Sequence, residues 1–198
     1  MMDATPIPRK AQQLGELLTI SELRRLLAAT DKPKYRLIIG LLFGIGLRAG
    51  EVGRLRLGDF DGDHRTLIIR KAKGGRHRVL PYDESLRSLL IAHYHAHSPT
   101  DFLFTSASRQ RVQKDGISVR GVQYIVRQMV EASGINKKVC PHTLRHCFAV
   151  HYLNCGGNLL RLKQLLGHAC ISTTLRYLSY ANPEVRDISS PLGLIIGA

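Results

Sequence analysis

The middle of the chain changes hydrophobic period, and that change limits the fold more than any other feature. Up to Leu57 apolar residues recur at helical spacing, most densely from Pro33 to Gly44. Thr66-Leu-Ile-Ile-Arg70 and Arg76 to Leu80 are instead short extended runs around a Gly74-Gly75 turn, the pattern of an antiparallel hairpin. From residue 118 onward helical spacing returns. The order is helices, a small antiparallel sheet, then more helices. The expected class is therefore α+β, mainly α, a helical domain with a small antiparallel β-sheet. A chain of 198 residues suffices for one such domain.

Punctuation divides the chain further. Residues 1–18 read as a flexible lead-in, and 19–182 as the folded domain. Thr19-Ile-Ser-Glu22 is a capping box that starts a helix to about Ala29. Pro33 opens the apolar helix, Gly46-Leu-Arg-Ala-Gly50 interrupts it, and Glu51 to Leu57 is expected as a short helix with Val52 and Leu55 inward. Asp59 to Asp63 reads as a turn, Asp83 as the cap of a helix to about His97, and Phe102 to Phe104 as a short strand. Ser106 to Gly116 is a polar loop, and helices are expected at 118–133, 142–155, 158–166 and 171–179. An apolar tail, 183–198, follows.

Charge names a partner before any motif does. Lysine and arginine number 29 against 15 acidic residues, a formal charge of +14. From Ala132 to Pro183 there is no Asp or Glu, while Lys137, Lys138, Arg145, Arg161, Lys163 and Arg176 lie in that window. Such a surface suits phosphates. Aromatics are 6% and Trp is absent, which disfavours base stacking on single strands and favours the backbone of double-stranded DNA. No apolar run approaches the roughly 18 residues of a membrane span, and no secretory signal opens the chain. A cytoplasmic protein with no membrane partner is expected.

Cys140, Cys147, Cys155 and Cys170 form no CxxC pair, so a reducing compartment and thiols buried on helix faces are expected. His142, His146, His151 and His168 share their stretch without zinc-finger spacing, and His93, His95 and His97 do not stack on one helix face. No metal or other cofactor is expected.

Five short features carry chemistry. Arg48 lies in the Gly46–Gly50 break, where a structural ion pair with Glu51 competes with a functional role. The hairpin from Arg70 to Pro81 carries Lys71, Lys73, Arg76 and Arg78. His142 and Arg145, three apart, share a helix face, so an imidazole and a guanidinium can meet one anion. Gly167-His168 and Ser172 to Tyr177 complete the set, although Tyr177 also suits a core aromatic with a wet tip. On one continuous helix His168 and Tyr177 would point to opposite sides. They meet only if the chain breaks between them, and Gly167 with Ser172-Thr-Thr174 offers that break.

Arg48, Lys73, the His142-x-x-Arg145 pair, Gly167-His168 and Tyr177 stand in the order and spacing of the tyrosine recombinase (phage integrase) family. The words Gly46-Leu-Arg-Ala-Gly-Glu-Val52, Pro141-His-Thr-Leu-Arg-His146, Leu165-Leu-Gly-His168 and Thr173-Thr-Leu-Arg-Tyr177 resemble it too, and the resemblance spans residues 18–182. It implies site-specific DNA recombination through a 3′-phosphotyrosyl link. Arg48 and Arg145 would clamp the scissile phosphate, and Tyr177 would attack it. Lys73 would protonate the departing 5′ oxygen, while His142 and His168 would position the phosphate and handle the nucleophile's proton. Lys71 beside Lys73, and Tyr180 one turn after Tyr177, are the competing assignments. Arg48, Lys71, Lys73, Arg76, Arg78, Lys137, Lys138 and Arg145 are the expected DNA contacts.

The resemblance further implies a homo-oligomer on paired half-sites, dimer to tetramer at synapsis, with accessory DNA-binding proteins. Larger relatives carry an N-terminal helical domain, so the chain is either a short form, like the small inversion enzymes of the family, or an excised catalytic fragment. The short form predicts weak binding by a monomer and cooperative assembly. A nucleoid-associated protein of bacterial or mobile-element origin is implied as well. For the tail, docking onto a neighbouring subunit and packing on its own domain both remain open. The competing functions are type IB topoisomerase-like relaxation, a non-catalytic DNA-binding relative, and a zinc-binding transcription factor.

Overall fold

Thr19 caps the first described helix by the capping box its sequence spells. Its hydroxyl accepts from Glu22 N at 3.2 Å, and the Glu22 carboxylate accepts from Thr19 N at 2.7 Å. In the computed structural model, which describes residues 16–70, 77–105 and 116–181, this cap starts α1 (Ile20–Ala28). Pro33, suited to the first helical turn, starts α2 (Pro33–Gly44). Leu37, Ile38, Ile39, Leu41 and Leu42 of α2 are all buried, so the helix is apolar around most of its girth and forms the central post. α4 (Glu84–His97), α5 (Val119–Ser133) and α6 (Pro141–Asn154) pack around it.

The period change produces the expected sheet, with one more strand than anticipated. β1 (Phe60–Asp61), β2 (Thr66–Ile69) and β3 (Arg78–Pro81) form an antiparallel sheet in that order. Phe60 pairs with Leu67, and Leu67 with Leu80. β1 occupies residues expected as a turn; the turn itself falls at 62–65. Leu67, Ile69 and Leu80 are buried in the main core, so the helices cover the hairpin's apolar face.

Two further expectations are corrected. The short helix expected over Glu51 to Leu57 is instead α3 (Ala49–Val52), followed by a 3₁₀ turn, Leu57–Asp59. Asp59 accepts from Arg56 N at 2.8 Å, which restarts the chain there. Phe102 to Phe104 is not a strand: Phe102 forms an isolated bridge with Arg56, and Leu103 and Phe104 are buried. Of the thiols, Cys147 alone is buried, accepting from Leu18 N at 3.2 Å, whereas Cys140, Cys155 and Cys170 are exposed.

α6 joins two cores. Leu144 and Cys147 belong to the main one, while Ala149, Val150 and Leu153 pack with Leu162 and Leu166 of α7 (Leu159–Leu166) and with Tyr177. The last helix, α8 (Ser172–Leu175), is a single turn with further turns to Tyr180. Gly46 holds the break between α2 and α3 at φ +68, against the Phe148 ring of α6. Gly46→Ala combines a disfavoured backbone with a methyl driven into that ring. We expect a loss of about 2–4 kcal/mol, read as a thermal midpoint lower by about 5–10 °C. Gly44→Ala, where an added methyl meets nothing within 4 Å, should leave the midpoint within about 2 °C.

Candidate active site

Five segments converge beside α6. The α2–α3 break supplies Gly46 and Arg48, with Glu51 just inside α3; β3 supplies Arg78; α6 supplies His142, Arg145 and His146. The end of α7 supplies Leu166 and His168, and α8 with its following turn supplies Thr174 and Tyr177.

Arg145 is the most constrained of these. Its side chain is 3% exposed, and its guanidinium donates to Gly46 O and to Leu166 O, both at 2.6 Å. It also donates to His168 Nε2 at 3.3 Å. Burial, then the charge of Arg48, lowers its pKa to about 10, so it stays charged at neutral pH. One buried cation thus ties the α2–α3 break to the end of α7.

Glu51 gathers the arginines. Arg78 grips it with two bonds of 2.8 Å, Arg48 Nη1 donates to it at 3.1 Å, and Arg145 stands 3.9 Å away. Burial raises the Glu51 pKa, but hydrogen bonds and charges from Arg78 and Arg48 outweigh it and bring the group down to about 2. The structural ion pair read from the sequence is therefore present, and it does not consume the whole Arg48 side chain. Its backbone N–H and one edge of its guanidinium serve Glu51, and its side chain remains 40% exposed, open to an incoming anion.

His168 and Tyr177 meet as the predicted break allows. Gly167 ends α7 at φ +64, and the His168 and Tyr177 rings lie 6.3 Å apart at 13°, face to face. Arg145 is always a donor, so His168 Nε2 must accept, and its Nδ1–H donates to Thr174 Oγ1 at 2.9 Å. That assignment requires a neutral ring. Burial, then the charges of Arg145 and Arg48, lowers its pKa to about 4 and keeps it so.

Tyr177 is 2% exposed, and burial raises its pKa against the pull of nearby arginines, so the phenol is protonated. Its hydroxyl lies 3.0 Å from His146 Nδ1. His142 is exposed, edge-on to His146 with ring centres 5.6 Å apart, and its pKa is lowered by burial and then by Arg145.

Arg48, His142, Arg145, His168 and Tyr177 thus come together, whereas Lys71, Lys73 and Arg76 lie outside the described residues. Two expected DNA contacts have other work in this structure. Arg78, 15% exposed, bonds Glu51 and donates to Leu165 O at 3.1 Å, bracing the sheet against the break and α7. Lys137 donates to Leu17 O and Glu22, closing the 134–140 segment onto the cap of α1; Lys138 beside it is exposed. His146, Thr174 and the arginine-gathering role of Glu51 were missed from the sequence. The signal for His146 was its spacing, one turn after His142 and so on the same helix face. Among the described residues no group of three His, Cys, Asp or Glu is arranged to hold a metal, and no helix is long and apolar enough to cross a membrane.

The frame and the site together define a class, the mainly helical catalytic fold with a three-stranded sheet seen in tyrosine recombinases. The crystal structure of XerA recombinase superposes with a TM-score of 0.75 at 28% identity, over 89% of this chain and 62% of that one. The catalytic domain of bacteriophage HP1 integrase shares the fold, with a TM-score of 0.65 over 93% and 95% of the two chains at 24% identity. In sequence, tyrosine recombinase XerA of Thermococcus kodakarensis is 33% identical over 191 residues, 95% of this chain and 66% of that protein. Tyrosine recombinase XerC of Anoxybacillus flavithermus is 31% identical over 194 residues, 91% and 63% respectively. The chain therefore spans slightly under two thirds of the length of these relatives. The profile of the phage integrase family matches residues 16–183. The chain belongs to the phage integrase family, the tyrosine recombinases.

Proposed function

We propose that this chain carries the catalytic centre of a site-specific recombinase that cuts and rejoins double-stranded DNA through a 3′-phosphotyrosyl link to Tyr177. The observation that carries the reading is the convergence of Arg48, His142, Arg145 and His168 around that phenol. A phosphodiester resists attack because its charge repels nucleophiles and its leaving alkoxide is basic. Arg145, held by Gly46 O and Leu166 O, presents a fixed charge, and Arg48 presents an exposed fork for the nonbridging oxygens. His142, exposed beside them, positions the phosphate, and His168 holds Arg145 and the Tyr177 ring in register.

Tyr177 Oη forms a bond to phosphorus as the P–O5′ bond breaks. The 5′ oxygen takes a proton from Lys73 or Lys71 on the hairpin. A 5′ hydroxyl from another strand then displaces the tyrosine, so rejoining needs no external energy source. The two guanidiniums supply the charge that a metal ion would otherwise bring. The remaining basic residues grip duplex backbone, which makes binding steeply salt-dependent. Pairing of copies on adjacent half-sites, with accessory DNA-binding proteins, completes the reading.

The test is covalent trapping in EDTA. The protein selects its own site from a random duplex pool, and that site is then nicked so that the cut fragment diffuses away. Wild-type protein should accumulate a protein–DNA adduct, and Tyr177→Phe none. An adduct surviving in Tyr177→Phe would sink the nucleophile assignment. No adduct from wild type on a site it binds would sink the reaction.

A further inference from the structure

We propose that His146 is the catalytic base of this site, with Nδ1 accepting the Tyr177 phenol proton as Oη attacks phosphorus. The inference rests on the phosphotyrosyl reading above and replaces the sequence expectation that His142 and His168 handle that proton. Distance carries it first. His146 Nδ1 and Tyr177 Oη are 3.0 Å apart, within the range over which a proton passes directly.

The alternatives are occupied elsewhere. Both nitrogens of His168 are engaged, Nδ1 donating to Thr174 and Nε2 accepting from Arg145. Its ring stacks on the face of Tyr177, with neither nitrogen bonded to the hydroxyl. His142 lies edge-on to the His146 ring, 5.6 Å away between centres, and is exposed.

Charge explains how such a base is poised. The groups facing His146 are His142 and Arg145 on its own helix and Arg176 and Tyr177 on the segment packed against it. Burial, then His142, Arg176 and Arg145, keeps the ring neutral at physiological pH, so it holds a lone pair for the phenol. A phosphate entering this cluster brings negative charge that offsets the arginines and strengthens the base. The acceptor is therefore in place beforehand and becomes basic enough to take the proton once DNA occupies the site. In the forward step Oη–P forms, P–O5′ breaks, Nδ1 gains the phenol proton, and the 5′ oxygen gains one from the hairpin lysine. On rejoining, the His146 imidazolium returns its proton to the departing phenolate.

A purely positioning histidine would also hold the phenol, and the test separates the two. His146→Asn sets an amide oxygen near the place of Nδ1, preserving an acceptor that cannot take up a proton. Adduct formation on the nicked site is followed in single turnover from pH 6 to 9. Wild type should be level across this range. His146→Asn should be at least about 100-fold slower at pH 7, rising about tenfold per pH unit as tyrosinate forms unaided. His146→Asn within about threefold of wild type with a parallel profile would overturn the proposal and leave the Tyr177 reading intact. No adduct from wild type would overturn both.

A second measurement needs no variant. On a substrate whose leaving 5′ oxygen is replaced by sulfur, departure needs no proton, so a solvent deuterium effect reports the nucleophile's proton. An effect of about twofold is expected for wild type. Its absence would overturn the base.

Discussion

Arg145→Lys should slow strand cleavage by at least about 100-fold and also cost the fold about 3–5 kcal/mol, a thermal midpoint lower by about 10 °C. Lysine keeps the charge but concentrates it at one point on a flexible stem. A single ammonium cannot replace the fork that donates to Gly46 O, Leu166 O and His168 together. At least one buried carbonyl is left unpaired, at about 1–3 kcal/mol, and His168 loses the donor that sets its tautomer. The α2–α3 break and the end of α7 then lose their shared anchor, and cleavage should fall by at least about 100-fold.

Arg48→Lys is the informative contrast. Its side chain is 40% exposed and its ion pair with Glu51 is local, so stability should change by under about 1 kcal/mol. On the proposed mechanism, cleavage should nevertheless fall by a similar factor, because the fork proposed to hold the phosphate is gone. Urea midpoints and single-turnover rates, taken where both variants are folded, separate these effects. Arg145→Lys as stable as Arg48→Lys would refute the anchoring role.

The contrast also shows which parts of the site were legible in the sequence. The break between His168 and Tyr177 was, because Gly167 and Ser172-Thr-Thr174 are local signals and opposite faces of one helix follow from geometry alone. The hairpin was legible for the same reason. β1 was not: Phe60-Asp61 looks like a turn until β2 is available to pair with it. Charge was the least legible property. A lone arginine or lysine carries no mark of whether it meets solvent, DNA or its own protein. Arg78 meets Glu51, and Lys137 meets Glu22, across separations of 27 and 115 residues. Long-range pairing of this kind, like the bond from His146 to a phenol 31 residues away, is decided by packing.

Acid should unfold this protein in two stages, with the larger losses beginning below about pH 6.5. His146 and His168 are each brought from 6.5 to about 4, chiefly by burial and then by neighbouring cations. The unfolded chain therefore binds more protons between these values, and stability falls as pH falls through the window. Each ring is partly exposed, so a loss of about 2 kcal/mol apiece by pH 4 is a reasonable scale. His142 and His93 shift the same way and add to the slope, while exposed His64, raised by Asp61, opposes it weakly. Glu51 acts in a lower window. Its pKa falls from 4.5 to about 2, so the stability its arginine pairs contribute is full above 4.5 and is lost toward pH 2. Urea midpoints from pH 8 to 2 should be level above about 7 and then decline through both windows. His168→Asn, which retains a polar group but does not titrate, should make the first window about half as deep, whereas Glu51→Gln should leave that window unchanged and remove the second. Midpoints level from pH 8 to 4 in the wild type would show that these imidazoles are free to charge in the folded state, contrary to the cation-lined site described above.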